Sequence, residues 1–314
     1  MPDHRMKTAY ISHPDCLRHE MDAWHPESPA RLHAIERGLT ASGQQNHLSR
    51  FEAPLATRAQ LERAHDAHYL DAVTAAAPQS GLRYLDPDTA MNPYTLNAAL
   101  RAAGAAVLAT DLVMAGSVNN AFCAVRPPGH HAERGRAMGF CLFNNIAVGA
   151  AHALAHHQLS RVAIIDFDVH HGNGTEDIFH ADDRVLMLST FQHPFYPGSG
   201  IAGRSGRMVN IPLRGGSGGV EFRGAVNQHW RPALERFKPQ MIFISAGFDA
   251  HRDDEMAGLQ LVDEDYDWIT RWIVAAAEEY AQGRLVSLLE GGYELQMLER
   301  TVINHIALLS GQAG

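Results

Sequence analysis

The chain is expected to fold as one α/β domain over residues 1–314, built on a parallel sheet buried between helices. Three observations predict this. Short runs that are apolar throughout, rather than alternating, recur along the sequence, as strands covered on both faces require. Each is followed by a polar or glycine-rich loop and, in most cases, by a longer segment of helical spacing, the signature of βα units. At 314 residues and 46% hydrophobic content, the chain supplies a core near the upper size for one domain.

In chain order, residues 95–114 read as a helix and 121–125 as a strand that stops at Arg126-Pro127-Pro128-Gly129. A helix over 144–159 precedes the strand 161–167, and 185–190 is a third strand. A helix over 220–237 leads to the strand 241–246. The next helix, 266–282, takes Asp263 or Asp265 as N-cap and Gly283 as its stop. Within it Ile269, Trp272, Ile273 and Ala276 follow i, i+3, i+4, i+7 spacing and belong to the core. The strand 285–289 closes the series. Gly215-Gly216-Ser217-Gly218-Gly219 has no following Lys-Ser/Thr pair, so it is a surface turn and not a phosphate loop.

The net charge of -9 and the absence of a long basic run argue against nucleic acid as a partner. Three cysteines, Cys16, Cys123 and Cys141, show no C-x-x-C spacing, which excludes a disulfide framework or zinc ribbon and fits a reducing compartment. Asp3, His4, Arg5 and Lys7 stand where a signal peptide needs an apolar core, and no 18-residue apolar span is expected. The expected location is the cytoplasm, without a membrane; a homo-oligomer is compatible with this composition. Of the 20 histidines, His152, His156 and His157 are expected only to line the exposed side of an alanine-rich helix.

Chemistry concentrates where strands end. In an open parallel sheet all the carboxyl ends lie on one edge, and ligands bind there. Four of the strands run directly into polar loops: Arg126 to His131, Asp168 to Asn173, Gly247 to His251, and Glu290-Gly291-Gly292-Tyr293. If the extended chain continues past Ile165, Asp166, Asp168 and His170 point the same way. Hard oxygen and imidazole donors at a buried strand mouth need a metal or a proton-transfer network to satisfy them. Asp168 and His170 offer two ligands, and Asp249, after another buried strand, is the best third. Three protein ligands leave one position open, as in catalytic zinc sites, and this hard donor set also admits Fe2+ or Co2+. His130 and His131 follow a rigid Pro-Pro-Gly turn and supply a general base and a general acid. Tyr293, presented by two glycines, supplies a phenol donor for a developing oxyanion.

These motifs, with Gly139-Phe140-Cys141 and Ser245 to Ala250, resemble the metal-dependent histone deacetylase family, most closely its class II and bacterial deacetylase-like amidohydrolase branches, over about residues 20–310. The resemblance implies the arginase/deacetylase fold, a three-layer α/β/α sandwich with its active site at the carboxyl ends of a central parallel sheet. It implies Asp168, His170 and Asp249 as zinc ligands, His130 and His131 as the catalytic pair, and Tyr293 as the transition-state tyrosine. Asp166 corresponds to the partner of His130 and Asn173 to the partner of His131. An anionic partner favours imidazolium, so His130 should be cationic and His131 the neutral base.

The same resemblance implies Gly139, Phe140 and Tyr196 as walls of an acyl-lysine tunnel, with Tyr in place of the usual Phe at 196, and Arg31 in a channel for released acetate. It implies a potassium ion near Asp166, Asp168, His170, Ser189 and Thr190, and a second at Phe179, Asp182 and Val185. The expected activity is zinc-dependent deacetylation of an acylated lysine in a protein or peptide. An acetylpolyamine amidohydrolase performs the same chemistry on a small cationic substrate, and Asp88 could attract its charge. A binuclear arginase-like site is disfavoured because Asp249-Ala250-His251 lacks further carboxylates. A silent acyl-lysine binding protein is disfavoured because ligands, histidine pair and tyrosine are all present.

Overall fold

A computed structural model describes residues 7–201 and 206–312; the N-terminal charges Asp3, His4 and Arg5 lie outside them. Ten strands and ten α-helices are described. In chain order they are β1 (Thr8–Ser12), α1 (Ala30–Ser42), β2 (Leu48–Glu52), α2 (Arg58–Leu61), α3 (Ala67–Ala76), β3 (Arg83–Asp86), β4 (Thr89–Met91), α4 (Thr95–Met114), β5 (Asn120–Cys123), α5 (Asn145–Ala155), β6 (Val162–Asp166), α6 (Asn173–Phe179), β7 (Val185–Gln192), β8 (Met208–Leu213), α7 (Gly219–Ala225), α8 (Arg231–Phe237), β9 (Ile242–Ala246), α9 (Asp263–Ala281), β10 (Leu285–Leu289) and α10 (Leu295–Leu309).

Eight strands form one sheet in the order β2-β1-β5-β10-β9-β6-β7-β8, every pairing parallel. The five strands expected from apolar runs are β5, β10, β9, β6 and β7, five of the six interior members, and every residue of each is buried; the sixth, β1, was not expected. Helices cover both faces, as an all-parallel sheet demands. This is the three-layer sandwich expected. A two-stranded antiparallel hairpin, β3–β4, stands apart from the sheet.

Several elements differ from the sequence reading. The strand carrying the first acidic motif ends at Asp166, and residues 167–172 form a loop. Asp166, Asp168 and His170 converge because the loop is pinned by its own side chains, not because the chain stays extended. Asp166 Oδ1 accepts the Asp168 N–H at 3.1 Å, and Asp168 Oδ1 accepts the His170 N–H at 2.8 Å. Helix α9 begins at Asp263, so its N-cap is Val262; Asp265 instead sits in the first turn and accepts the Val262 N–H at 3.0 Å. The helix expected over 220–237 is α7 and α8 joined by one π-helical turn, Val226–Trp230.

Two further expectations are corrected. Helix α4 is long and apolar enough to cross a membrane by length and composition, because alanines interleave with leucines and valines over its 20 residues. Most of that apolar surface is buried, and the helix packs against η-turn 14–17, β5 and α5. His152, expected on an exposed face, is 3% exposed and hydrogen-bonded to Asp111. Cys16, Cys123 and Cys141 are free and buried, in keeping with the absence of a disulfide framework.

Candidate active site

The carboxyl ends of β5, β6, β9 and β10 deliver the four loops to one place. β6 lies beside β9, β9 beside β10 and β10 beside β5, so the loops are consecutive along the sheet edge. Asp168, His170 and Asp249 present their ligand atoms within 4.8 Å of one another, all three side chains buried. His170 Nδ1 lies 3.0 Å from Asp168 Oδ1 and 3.2 Å from Asp249 Oδ2. The other carboxylate oxygens are tied to the backbone: Asp168 Oδ2 accepts the Gly291 N–H at 2.9 Å, and Asp249 Oδ1 accepts the Val169 N–H at 3.0 Å. Asp249 Oδ2 is buried and accepts no hydrogen bond. Two oriented carboxylates, one with an orphaned oxygen, and one imidazole fit a divalent cation, and among the described residues the two charges have no arginine or lysine partner to neutralise them.

Electrostatics say the same. Burial alone would lower the pKa of His170, but the Asp168 and Asp249 carboxylates beside its Nδ1 raise it to about 10. Burial and the Asp168 charge raise Asp249 to about 6. Without a metal, then, a proton on His170 takes the place of the cation. The close backbone approach requires glycine at two points. A Cβ on Gly291 would lie 2.0 Å from Asp249 Oδ2, and one on Gly247 would lie 2.0 Å from Asp168 Oδ2.

The paired histidines share one pocket, their rings 4.1 Å apart. His130 Nδ1 donates to Asp166 Oδ2 at 3.0 Å. The Nδ1–H of His131 donates to Asn173 Oδ1 at 2.7 Å, an amide orientation fixed by the Asn173 Nδ2–H donating to Glu133 at 2.8 Å. His131 Nε2 therefore carries the lone pair. Burial depresses His131 well below the ordinary imidazole range, and the charges of His130 and His170 add to the effect. Burial opposes the charging of His130, yet Asp168, then Asp166, together with Glu290 hold it well above that range. The two imidazoles are thus pushed in opposite directions, His130 toward the cationic form and His131 toward the neutral one. Asp166 acts on His130 through both its charge and its hydrogen bond, so a cation on Asp168 would leave Asp166 and Glu290 to sustain the cationic form.

A cavity of about 150 Å³ leads to these groups; Gly139, Phe140, Tyr196 and Tyr293 line it as expected, joined by Asp88, Phe195 and Met256. Phe195 stacks on His170 at 5.6 Å, and Tyr196 stands edge-on to His131 at 5.2 Å near the mouth. Phe140 has φ 68°, an unusual conformation for a residue with a side chain. The β3–β4 hairpin holds it there: Thr89 Oγ1 accepts the Phe140 N–H at 3.0 Å and donates to Asp88 at 3.2 Å. The Tyr293 phenol stays protonated, its pKa raised well above 10 by burial and by Asp249.

Sequence reasoning missed the groups behind this layer. Glu290, fully buried, accepts the N–H groups of Gly129 at 2.7 Å and His130 at 3.2 Å, fixing the turn that aims both imidazoles; burial raises its pKa to about 7. Glu27, also buried, joins Arg126 and Arg31, and its Oε2 accepts from Arg126 at 2.7 Å. Arg31 donates to the Gly292 carbonyl at 2.7 Å and to that of Glu290, and its guanidinium lies 4.9 Å from the Tyr293 ring centre. Both acids stand in motifs visible in the sequence. Their long-range partners, with Arg126 and Gly129 about a hundred or more residues away, are not. Of the expected potassium donors, Ser189 is paired with Asp166 across β6–β7 and its Oγ is buried without a hydrogen-bond partner. Phe179, Asp182 and Val185 follow one another on the turn from α6 to β7, where Phe179 O and Asp182 O already accept backbone N–H groups.

Comparison with known proteins agrees with this geometry. The profile described as "Histone deacetylase domain" matches residues 25–309, and the chain belongs to the histone deacetylase family of hydrolases. It is 41% identical over 278 residues to the histone deacetylase-like amidohydrolase of Pseudomonas aeruginosa, covering 86% of this chain and 73% of that one. It is 37% identical to a probable deacetylase of Archaeoglobus fulgidus, covering 98% and 87%. Against type-2 histone deacetylase 2 of Dictyostelium discoideum the identity is 35%, and there the match spans 97% of this chain but only 21% of that relative's length. The crystal structure of the HDA15 HD domain superposes with a TM-score of 0.92 at 36% identity, over 98% of this chain and 89% of that one.

Proposed function

We propose that the protein is a zinc-dependent deacetylase acting on acylated lysine, acetyl-lysine first, in a protein or peptide. The observation that carries this reading is the Asp168–His170–Asp249 set, whose His170 lines one narrow cavity together with His131, a histidine whose free Nε2 is a base. When bound at those three residues, Zn2+ supplies Lewis-acid polarisation of an acyl carbonyl and lowers the pKa of a neighbouring water; Fe2+ or Co2+ fits the same donors. His131 takes the attacking water's proton at Nε2. The Tyr293 phenol donates to the carbonyl oxygen as it becomes an oxyanion. A protonated imidazole of the pair then delivers a proton to the leaving nitrogen. The new C–O bond and the broken C–N bond give acetate and a free amine.

Phe140, Phe195 and Met256 offer apolar walls to a methylene stem whose charge is absent while acylated. Arg31, a buried cation behind Tyr293, suits the carboxylate product. The orphaned Ser189 hydroxyl supports a K+ ion with Asp166, Asp168, His170 and Thr190; a second K+ on Phe179, Asp182 and Val185 would rely on carbonyl oxygens. Asp88 in the cavity lining favours a second reading, an acetylpolyamine substrate, since a carboxylate there can pair with a distal ammonium. Acetate release from an acetyl-lysine peptide and from acetylspermidine, compared on one zinc-loaded sample, separates the two. Turnover of the peptide at the higher kcat/KM supports the proposal, and the reverse order assigns the protein to polyamines.

A further inference from the structure

Away from the catalytic cavity, three histidines and an aspartate meet where two helices end. Asp111 lies in the last turn of α4; His152 lies in the last turn of α5, and His156 and His157 follow directly. Asp111 Oδ1 is 2.7 Å from both His152 Nε2 and His157 Nε2. The rings of His152 and His156 stack at 4.8 Å with 16° between their planes, and His157 stands edge-on to both, at 5.5 Å and 4.9 Å. One ligand atom from each of the four residues falls within 4.8 Å of the rest. We propose that Asp111, His152, His156 and His157 form a second metal site, for Zn2+ or a similar imidazole-seeking divalent ion.

Several features favour a cation here. The carboxyl ends of α4 and α5 converge, and each carries partial negative charge, to which Asp111 adds a full one in a place where the helix dipole disfavours it. His156, the C-cap residue of α5, stands four residues after His152 and its N–H still bonds the His152 carbonyl, so the pair keeps the spacing that puts two imidazoles on one face for a metal. Three imidazoles and one carboxylate complete a tetrahedral set without any group from the catalytic loops. The site is also remote. Helix α5 begins at the residues that support the catalytic turn, with the Asn145 side chain donating to the Pro127 carbonyl at 3.0 Å, and its other end, about 15 Å away at 1.5 Å per residue, carries this cluster.

One contact must change on binding. The Arg63 guanidinium donates to His152 Nδ1 at 2.6 Å, so the metal-free ring carries its proton on Nε2, toward Asp111. Coordination at Nε2 shifts that proton to Nδ1, where it would oppose the Arg63 N–H. Arg63 is partly exposed and can turn away to solvent. Arg63→Gln supplies an acceptor in its place and should tighten the site at least several-fold, as a second-shell partner does.

The test starts from protein whose catalytic centre is already zinc-loaded and titrates further Zn2+ by calorimetry with metal analysis. The expected result is one additional Zn2+ per chain. In the double variant His156→Ala, His157→Ala its affinity should fall more than about 100-fold, while the first zinc and deacetylation are kept. Arg63→Gln should bind the additional ion more tightly. A stoichiometry that stays at one, or a second zinc bound equally well by the double variant, overturns the proposal. Unchanged or weaker binding by Arg63→Gln contradicts the four-ligand site by removing His152 from it.

Discussion

At the scale of single residues the site is a set of titrations arranged in opposition. Burial keeps the His131 imidazole neutral, and at its Nδ1 stands Asn173 rather than an acid whose charge would offset that effect. Asn173→Asp should therefore raise the His131 pKa and move the acid limb of the kcat/KM profile up by about one unit or more; an unmoved limb would show that His131 is not the base. Tyr293→Phe should keep fold and metal content but lose about a hundredfold or more in kcat, the usual cost of an oxyanion donor. His170, raised to about 10 by its two carboxylates, must lose its proton to bind a metal. Zinc affinity should thus rise with pH, by about tenfold per unit between about 6, where Asp249 is ionised, and that value, with close to one proton released per ion. Proton release measured in two buffers checks this, and none would mean that His170 is already neutral or is not a ligand.

At the scale of elements, what could be read from the sequence was what burial writes into it. β5, β6, β7, β9 and β10 are covered on both faces and appear as unbroken apolar runs. β2 and β8 are the sheet edges: partly exposed, with Pro212 in β8, they lack such runs. Helix α10 also leaves a legible pattern in the sequence. Its buried Leu298, Val302, Ile306 and Leu309 keep helical spacing, and Glu294 caps it by accepting the Gln296 N–H at 3.2 Å. The β3–β4 hairpin was signalled by Pro87-Asp88, yet its role of bracing Phe140 is a contact across 51 residues that no local pattern encodes. The proposed ligands were readable because they follow buried strands; the roles of Glu27 and Glu290 were not, because they lie in partners distant in sequence. The glycines of the β9 and β10 loops belong to this scale too. Gly291→Ala would drive a methyl into Asp249 and should weaken zinc binding by about tenfold or more, read by competition with a chelating dye; unaltered affinity would show that the loop can yield.

At the scale of the whole molecule, buried neutral histidines tie the layers together. His305 on α10 bonds Thr270 on α9 at 2.7 Å and Ser287 on β10 at 2.9 Å, and burial lowers its pKa to about 3. The unfolded chain protonates this group near the ordinary value of about 6.5. This contribution is therefore complete above that pH and is lost as pH falls toward about 3. His305→Gln removes the dependence while retaining polar partners, so the stability difference between wild type and variant should shrink by about 2 kcal/mol between pH 7 and pH 5. Denaturant unfolding of both proteins at the two pH values measures it, and a constant difference would place a charged imidazole in the core.

The proposed deacetylation rests on one metal ion held by Asp168, His170 and Asp249. The direct measurement is acetate release from an acetyl-lysine peptide as Zn2+ is returned to chelator-stripped protein. Activity should be absent after stripping and should reappear with zinc in the wild type but not in Asp249→Ala. Full turnover by the stripped protein, or equal recovery by Asp249→Ala, would contradict it.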